Sequence, residues 1–135
     1  MKRRYRLAES SRFRRVRQEG TSYAHPLLVL MCMPNQRAAS RCGVAVSKRA
    51  AGNAVDRNRA KRRIREAIRL QWDAIEPGWD MVWIARPGVN EAEFSTLQEA
   101  ATRLLRRARL LAAPGVTKAA PPPVPRGADT PSEPA

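Results

Sequence analysis

Histidine and cysteine are almost missing from this chain, with one His and two Cys among 135 residues. Two cysteines, Cys32 and Cys42, cannot build a disulfide framework or a four-ligand zinc site. Each stands in a strand-like apolar run, so reduced, mostly buried thiols are expected. His25 precedes Pro26 and an apolar strand, where a surface or cleft-edge position is expected. No Ser/His or Cys/His pair with a supporting carboxylate offers a nucleophilic mechanism. Glu91 and Glu93 suit a helix start and are too few for a protein-held metal site. No apolar run reaches the roughly 18 residues that a membrane-spanning helix needs. The start, MKRRYRLAESSRF, has no apolar stretch or small-residue cleavage site, so it does not read as a signal peptide. The cytoplasm is the expected compartment. Acidic residues are also scarce, at 12 against 26 Lys and Arg.

What is present is positive charge, unevenly placed. The net charge is +14. Residues 1–75 hold 19 basic and 5 acidic groups, while residues 76–135 hold seven of each. A field of that size and asymmetry points to a polyanionic partner, nucleic acid or an anionic membrane face, and argues against a self-contained small-molecule enzyme.

Composition divides the chain in two. From Pro114 to Ala135 stand 7 of the 11 prolines, among Ala, Gly, Thr and Ser. Such a segment cannot bury enough apolar surface to offset its ordering entropy, so residues 113–135 are expected to be a disordered tail. A single folded domain is expected over residues 1–112. Ser10 and Ser11 can cap a short helix that carries Phe13 and Val16 on one face and stops at Gly20. Strands are expected at Leu27–Met33, Cys42–Ser47 and Met81–Ala85, with turns at Pro34-Asn35, Ile75–Gly78 and Arg86-Pro87-Gly88. A last helix is expected over Glu91–Leu111, where Phe94, Leu97, Ala101, Leu104, Ala108 and Leu111 form a core stripe. Trp72, Trp79 and Trp83 read as core and rim packing.

The informative segment lies between the second and third of these strands. A helix is expected over Asp56–Gln71, with Ala60, Ile64, Ala67, Ile68 and Gln71 on one face. Arg59, Arg62, Arg65 and Arg69 fall opposite, with Asn58 beside them. Seven of the thirteen residues from Arg57 to Arg69 are basic, against one Glu. So many like charges repel one another until phosphates neutralise them, and the planar guanidinium fork suits phosphate oxygens. No heptads follow the helix, which excludes a basic leucine zipper. Its apolar face is too small a wedge for a membrane-surface helix. RNA or DNA remains.

These residues resemble the protein subunit of bacterial ribonuclease P. The most specific piece is Gly52-Asn53-Ala54-Val55, then Arg57-Asn58-Arg59, Lys61-Arg62 and Arg65-Glu66. Ser11-Arg12-Phe13, Gly20-Thr21-Ser22, Val44-Ala45-Val46-Ser47-Lys48 and Ile84-Ala85-Arg86 stand around it in the family's order. The resemblance implies an α/β (α+β) sandwich of order αβββαβα, like the second domain of ribosomal protein S5, with a left-handed βαβ crossover. It also implies partnership with a catalytic RNA that cuts the 5′ leader from precursor tRNA, the RNA and its Mg2+ doing the chemistry and the protein binding no cofactor. A structural RNA-binding protein of ribosomal type is the alternative.

By position, the resemblance makes Ser47, Lys48, Arg49, Asn53, Arg57, Asn58, Arg59, Lys61, Arg62 and Arg65 contacts to the catalytic RNA. It makes Arg12, Phe13, Val16 and Arg17 on the first helix, with Leu27, Val29 and Met31 on the facing strand, the lining of a leader cleft in which Phe13 offers a stacking surface. The chain departs from the family in three places. Arg17 stands where a second aromatic is usual, Met31 stands where the strand often has one, and Arg49-Ala50-Ala51 is one residue longer than usual.

Overall fold

A computed structural model describes residues 5–7 and 11–111. Ser10 and the tail expected from residue 113 lie outside them. The elements in chain order are α1 (Ser11–Glu19), β1 (Thr21–Ala24), β2 (Leu28–Pro34), β3 (Arg41–Ala45), α2 (Ala54–Arg69), β4 (Trp79–Ala85) and α3 (Phe94–Arg107), with a 3-10 turn at Trp72–Ala74 after α2. This is the αβββαβα order, in an α+β fold.

The four strands form one mixed sheet in the order β1-β2-β4-β3. β1 and β4 run antiparallel to β2, and β3 runs parallel to β4. α2 therefore links two parallel neighbours, as a βαβ unit requires. Side chains alternate across the sheet. Leu28, Leu30, Cys32, Cys42, Val44, Met81 and Trp83 face α2 and α3 in the larger core. Val82 faces the other way, where it meets Phe13 and Val16 of α1 and Leu7.

Two glycines permit that second packing. A Cβ on Gly43 would stand 2.3 Å from the Leu7 carbonyl oxygen and 2.7 Å from Cε2 of Phe13. At Gly20, where the backbone turns from α1 into β1, a Cβ would lie 2.6 Å from the Val16 oxygen.

Several expected boundaries shift. β1 has no forerunner in the residue pattern, because Thr-Ser-Tyr-Ala is mostly exposed and exists as a strand only through pairing with β2, Thr21 opposite Cys32. β3 ends at Ala45, so Ser47 lies in the following turn, where its carbonyl accepts from the Ala50 and Ala51 N–H groups. That turn takes up the longer Arg49-Ala50-Ala51 stretch. β4 begins two residues early, at Trp79, because its whole length pairs with β2. α3 is shorter at both ends than expected. Turns occupy its approach, and Arg109 adopts φ 61° after its last turn. There the Leu110 N–H reaches the Leu105 oxygen at 2.9 Å and the Arg109 N–H reaches the Arg106 oxygen at 3.0 Å, the two bonds of a Schellman cap. Leu97, Ala101 and Leu104 of the stripe are fully buried, together with Ala100 and Leu105.

Candidate nucleic-acid interface

Ala60, Ile64, Ala67 and Ile68 are completely buried, which fixes the rotation of α2 against the sheet. The helix starts two residues before the expected Asp56 because Asn53 caps it, its Oδ1 accepting the Asp56 N–H at 2.8 Å. The Arg57 guanidinium turns back and donates to the Ala51 and Gly52 carbonyls, each at 3.3 Å, strapping the loop to the helix. Arg63 is also committed. It donates to the Val89 oxygen at 2.7 Å and to the Ala92 oxygen, tying α2 to the approach of α3. Arg69 is bonded to Glu66.

Removing these leaves the outward face. Asn58, Arg59 and Arg62 are exposed, and Lys61 and Arg65 are half-buried. Among the described residues no carboxylate lies within ion-pair distance of Arg59, Lys61, Arg62 or Arg65. Burial, and then the neighbouring Arg6, lower the Arg65 pKa, while burial and then Arg59 lower that of Arg63. Arginine keeps its charge through shifts of this kind, so mutual repulsion stays stored on the surface. Arg6 joins this group unannounced by the sequence. It is brought beside α2 by a parallel bridge to Cys42, and no periodic pattern in the N-terminal segment indicates that. Lys48 and Arg49 are exposed in the turn leading to α2.

The residues expected to line a leader cleft separate into groups. Val29 and Met31 are half-buried on the sheet face that carries α1, and Arg17 is exposed on α1. Phe13 and Val16 are only 3% and 0% exposed. The Phe13 ring packs on Gly43 and belongs to the smaller core. Leu27 precedes β2 and packs against the larger core, away from Val29 and Met31. Arg12 is tethered, with Nε donating to Asp80 at 2.7 Å and Nη2 to the Pro34 oxygen at 2.8 Å.

Asp80 is a completely buried carboxylate. Arg12, Arg41 and Asn35 all donate to it. Burial by itself would raise its pKa. The bonds from Arg41, Asn35 and Arg12 together outweigh burial and hold it below the ordinary carboxylate value. The Cys42 thiol is pushed up to about 12 by burial, which leaves it an inert core group.

The family model for Ribonuclease P matches residues 1–109, which take in every helix and strand of the fold. The chain belongs to the ribonuclease P protein family. It is 47% identical over 110 residues to the ribonuclease P protein component of Herpetosiphon aurantiacus, covering 82% of this chain and 89% of that one. It is 50% identical over 115 residues to that of Chloroflexus aurantiacus, covering 84% of each. Among solved structures, the RNase P protein of Staphylococcus aureus superposes with a TM-score of 0.71 at 30% identity, over 79% of this chain and 97% of that one. The RNase P protein from Thermotoga maritima gives 0.69 at 31%, over 76% and 96%. Against this ribonuclease P frame, the signature residues divide by physical role. Asn53 and Arg57 build the entry to α2, whereas Asn58, Arg59 and Arg62 face outward.

Proposed function

We propose that this chain is the RNA-binding subunit of ribonuclease P, which with a catalytic RNA removes the 5′ leader from precursor tRNA and leaves the mature 5′ end. The observation that carries this reading is the outward face of α2. Arg59, Lys61, Arg62 and Arg65 stand together with no carboxylate in ion-pair range among the described residues, on a helix whose other side is locked into the core. Such a face is stabilised by phosphates replacing the missing counter-charges, with release of condensed cations from the RNA. Lys48 and Arg49 extend it along the preceding turn.

The same reading assigns the leader to the sheet face beside α1. Val29, Met31 and Ile84 provide a half-buried apolar floor there, and Arg17 stands at the rim. With Phe13 enclosed, charge and this floor carry the binding rather than aromatic stacking. Phosphodiester hydrolysis is assigned to the RNA with its Mg2+, and the protein broadens substrate use in the cytoplasm. His25, whose Nδ1 accepts the Leu27 N–H at 3.1 Å, is given no part in the chemistry by this reading.

The test is cleavage of a precursor tRNA by a bacterial ribonuclease P RNA at low Mg2+, with and without this protein. Stimulation is expected, with tighter substrate binding that weakens when the leader is cut to one nucleotide. If the protein leaves cleavage unchanged, a structural RNA binder is the better account. Cleavage by the protein without RNA would refute the division of labour.

A further inference from the structure

Among the described residues from Glu76 to Leu111, five basic and five acidic groups balance in number but not in space. The acidic residues of β4 and of the approach to α3 are placed away from the arginines that follow. Asp80 is sealed beneath Arg12 and Arg41, and Glu91 and Glu93 precede the first turn of α3. The far end of α3 holds Arg103, Arg106, Arg107 and Arg109, all exposed, while Leu104, Leu105 and Ala108 between them are buried. Glu99 bonds Arg103 at 3.4 Å on the exposed surface. Glu76, next to Leu110 through a backbone bond, makes no ion pair with any of the four.

A second element adds to this cluster. Arg107 donates to the Ala24 carbonyl at 2.8 Å and lies over the Tyr23 ring, 5.8 Å from its centre, so the end of α3 is seated on β1. Arg86, just beyond β4, donates to the His25 carbonyl at 3.4 Å. Arginines in a last turn complement the helix dipole, which accounts for Arg106 and Arg107. It does not account for Arg86, which belongs to another element. Nor does it account for Arg109, whose φ of 61° is a conformation that favours glycine.

We propose that Arg86, Arg103, Arg106, Arg107 and Arg109 form a second RNA-binding surface, which takes the sugar–phosphate backbone of an RNA segment other than the one on α2. The proposal rests on the reading that the partner is RNA. The two groups lie toward opposite edges of the sheet: β1 and β3 are those edges, and α3 and α2, which pack on each other, lie over β1 and β2 and over β3 respectively. The protein then presents cations at both edges and bridges two RNA segments.

His25, the sole histidine, stands inside the cluster and reports on it. Burial, and then Arg103 and Arg107, hold its imidazole below the usual value, against a raising pull from Glu99. Phosphates arriving beside those arginines offset their repulsion and raise it.

The experiment measures binding of the full chain to a bacterial ribonuclease P RNA with precursor tRNA across a salt series, comparing wild type, Arg103→Gln/Arg106→Gln, and Arg59→Ala/Arg62→Ala. Arg107 is left intact because it holds β1. The α3 variant is expected to melt like wild type and to flatten the log–log salt slope by about 0.7–0.9 for each phosphate it no longer neutralises. In parallel, the His25 ring of the full chain is titrated by NMR with and without a short RNA duplex, and a raised midpoint in the complex is expected. An unchanged slope in the α3 variant, while the α2 variant flattens it, overturns this surface and leaves the proposed function standing. If neither variant changes the slope, both readings fall. A His25 midpoint that does not move on saturation with the duplex also overturns the second surface.

Discussion

Arg41 and Asp80 sit opposite each other in the parallel register of β3 and β4 and are joined by a two-point bond, Nε to Oδ1 at 3.0 Å and Nη2 to Oδ2 at 2.9 Å. Arg12 adds a third bond from α1, and Asn35 a fourth from the loop after β2. The carboxylate thus ties two strands, a loop and a helix at one end of the face that carries α1. The apolar contact under α1 is small, so this polar junction decides where the helix lies.

Asp80→Asn is expected to lose about 1.5–3 kcal/mol of stability, the usual worth of hydrogen bonds to a charged group, because the arginines left behind are partly exposed to water. Urea unfolding checks this. A loss under about 1 kcal/mol would mean that α1 is held by Phe13 and Val16 alone.

The same junction sets an acid dependence. The folded pKa of Asp80 is lowered, so its stabilisation is complete above the unfolded value of about 3.9. It is lost as pH falls through the lower folded value. The urea midpoint of the wild type should therefore hold from neutrality to about pH 5 and fall steeply in stronger acid. Asp80→Asn should lack the part of that fall that Asp80 causes.

Gly43→Ala is expected to destabilise by about 1–3 kcal/mol or more. Its Cβ would overlap the Leu7 carbonyl at 2.3 Å and the Phe13 ring at 2.7 Å, and a backbone atom cannot step aside as a side-chain tip can. A thermal melt at wild-type temperature would show that the N-terminal segment does not pack on β3.

Asn53 separates capping from RNA contact. Asn53→Ala should cost about 1 kcal/mol by removing the bond to the Asp56 N–H, and Asn53→Ser should recover most of it. RNA affinity that follows stability across the pair marks Asn53 as a cap. Affinity that stays low in the Ser variant marks a direct contact.

Arg59→Ala/Arg62→Ala should leave the melting temperature nearly unchanged, because both side chains are exposed and make no ion pair among the described residues. Binding to a bacterial ribonuclease P RNA should weaken, and its salt slope should flatten by about 0.7–0.9 for each phosphate left without its arginine. Loss of stability without a change in slope would count against the α2 reading.

Periodic segments are legible from residues alone. The buried face of α2 at Ala60, Ile64, Ala67 and Ile68 and the stripe of α3 follow from the 3.6-residue turn, since burial of a helix face depends on spacing and little else. β1 is not legible, because a short exposed edge strand has no apolar alternation to announce it and owes its form to β2. Phe13 illustrates a different limit. An aromatic on a short basic helix reads equally as core or as a stacking surface until the glycine beneath it, far along the chain at Gly43, is seen.

The arginines draw the same line. Composition and helical spacing by themselves determined that one half of the chain carries the excess charge and that α2 must turn a cationic side outward, because charge and periodicity are local properties. Which arginine is available and which is already engaged was decided only in three dimensions. Arg12 and Arg41 are neutralised by a carboxylate far along the chain, Arg63 is held by loop carbonyls, and the α3 arginines emerge as a cluster in which only Arg103 meets a carboxylate, that of Glu99, among the described residues. A guanidinium's role depends on what lies within a few ångströms of it, and that distance is set by the packing of the sheet and its helices.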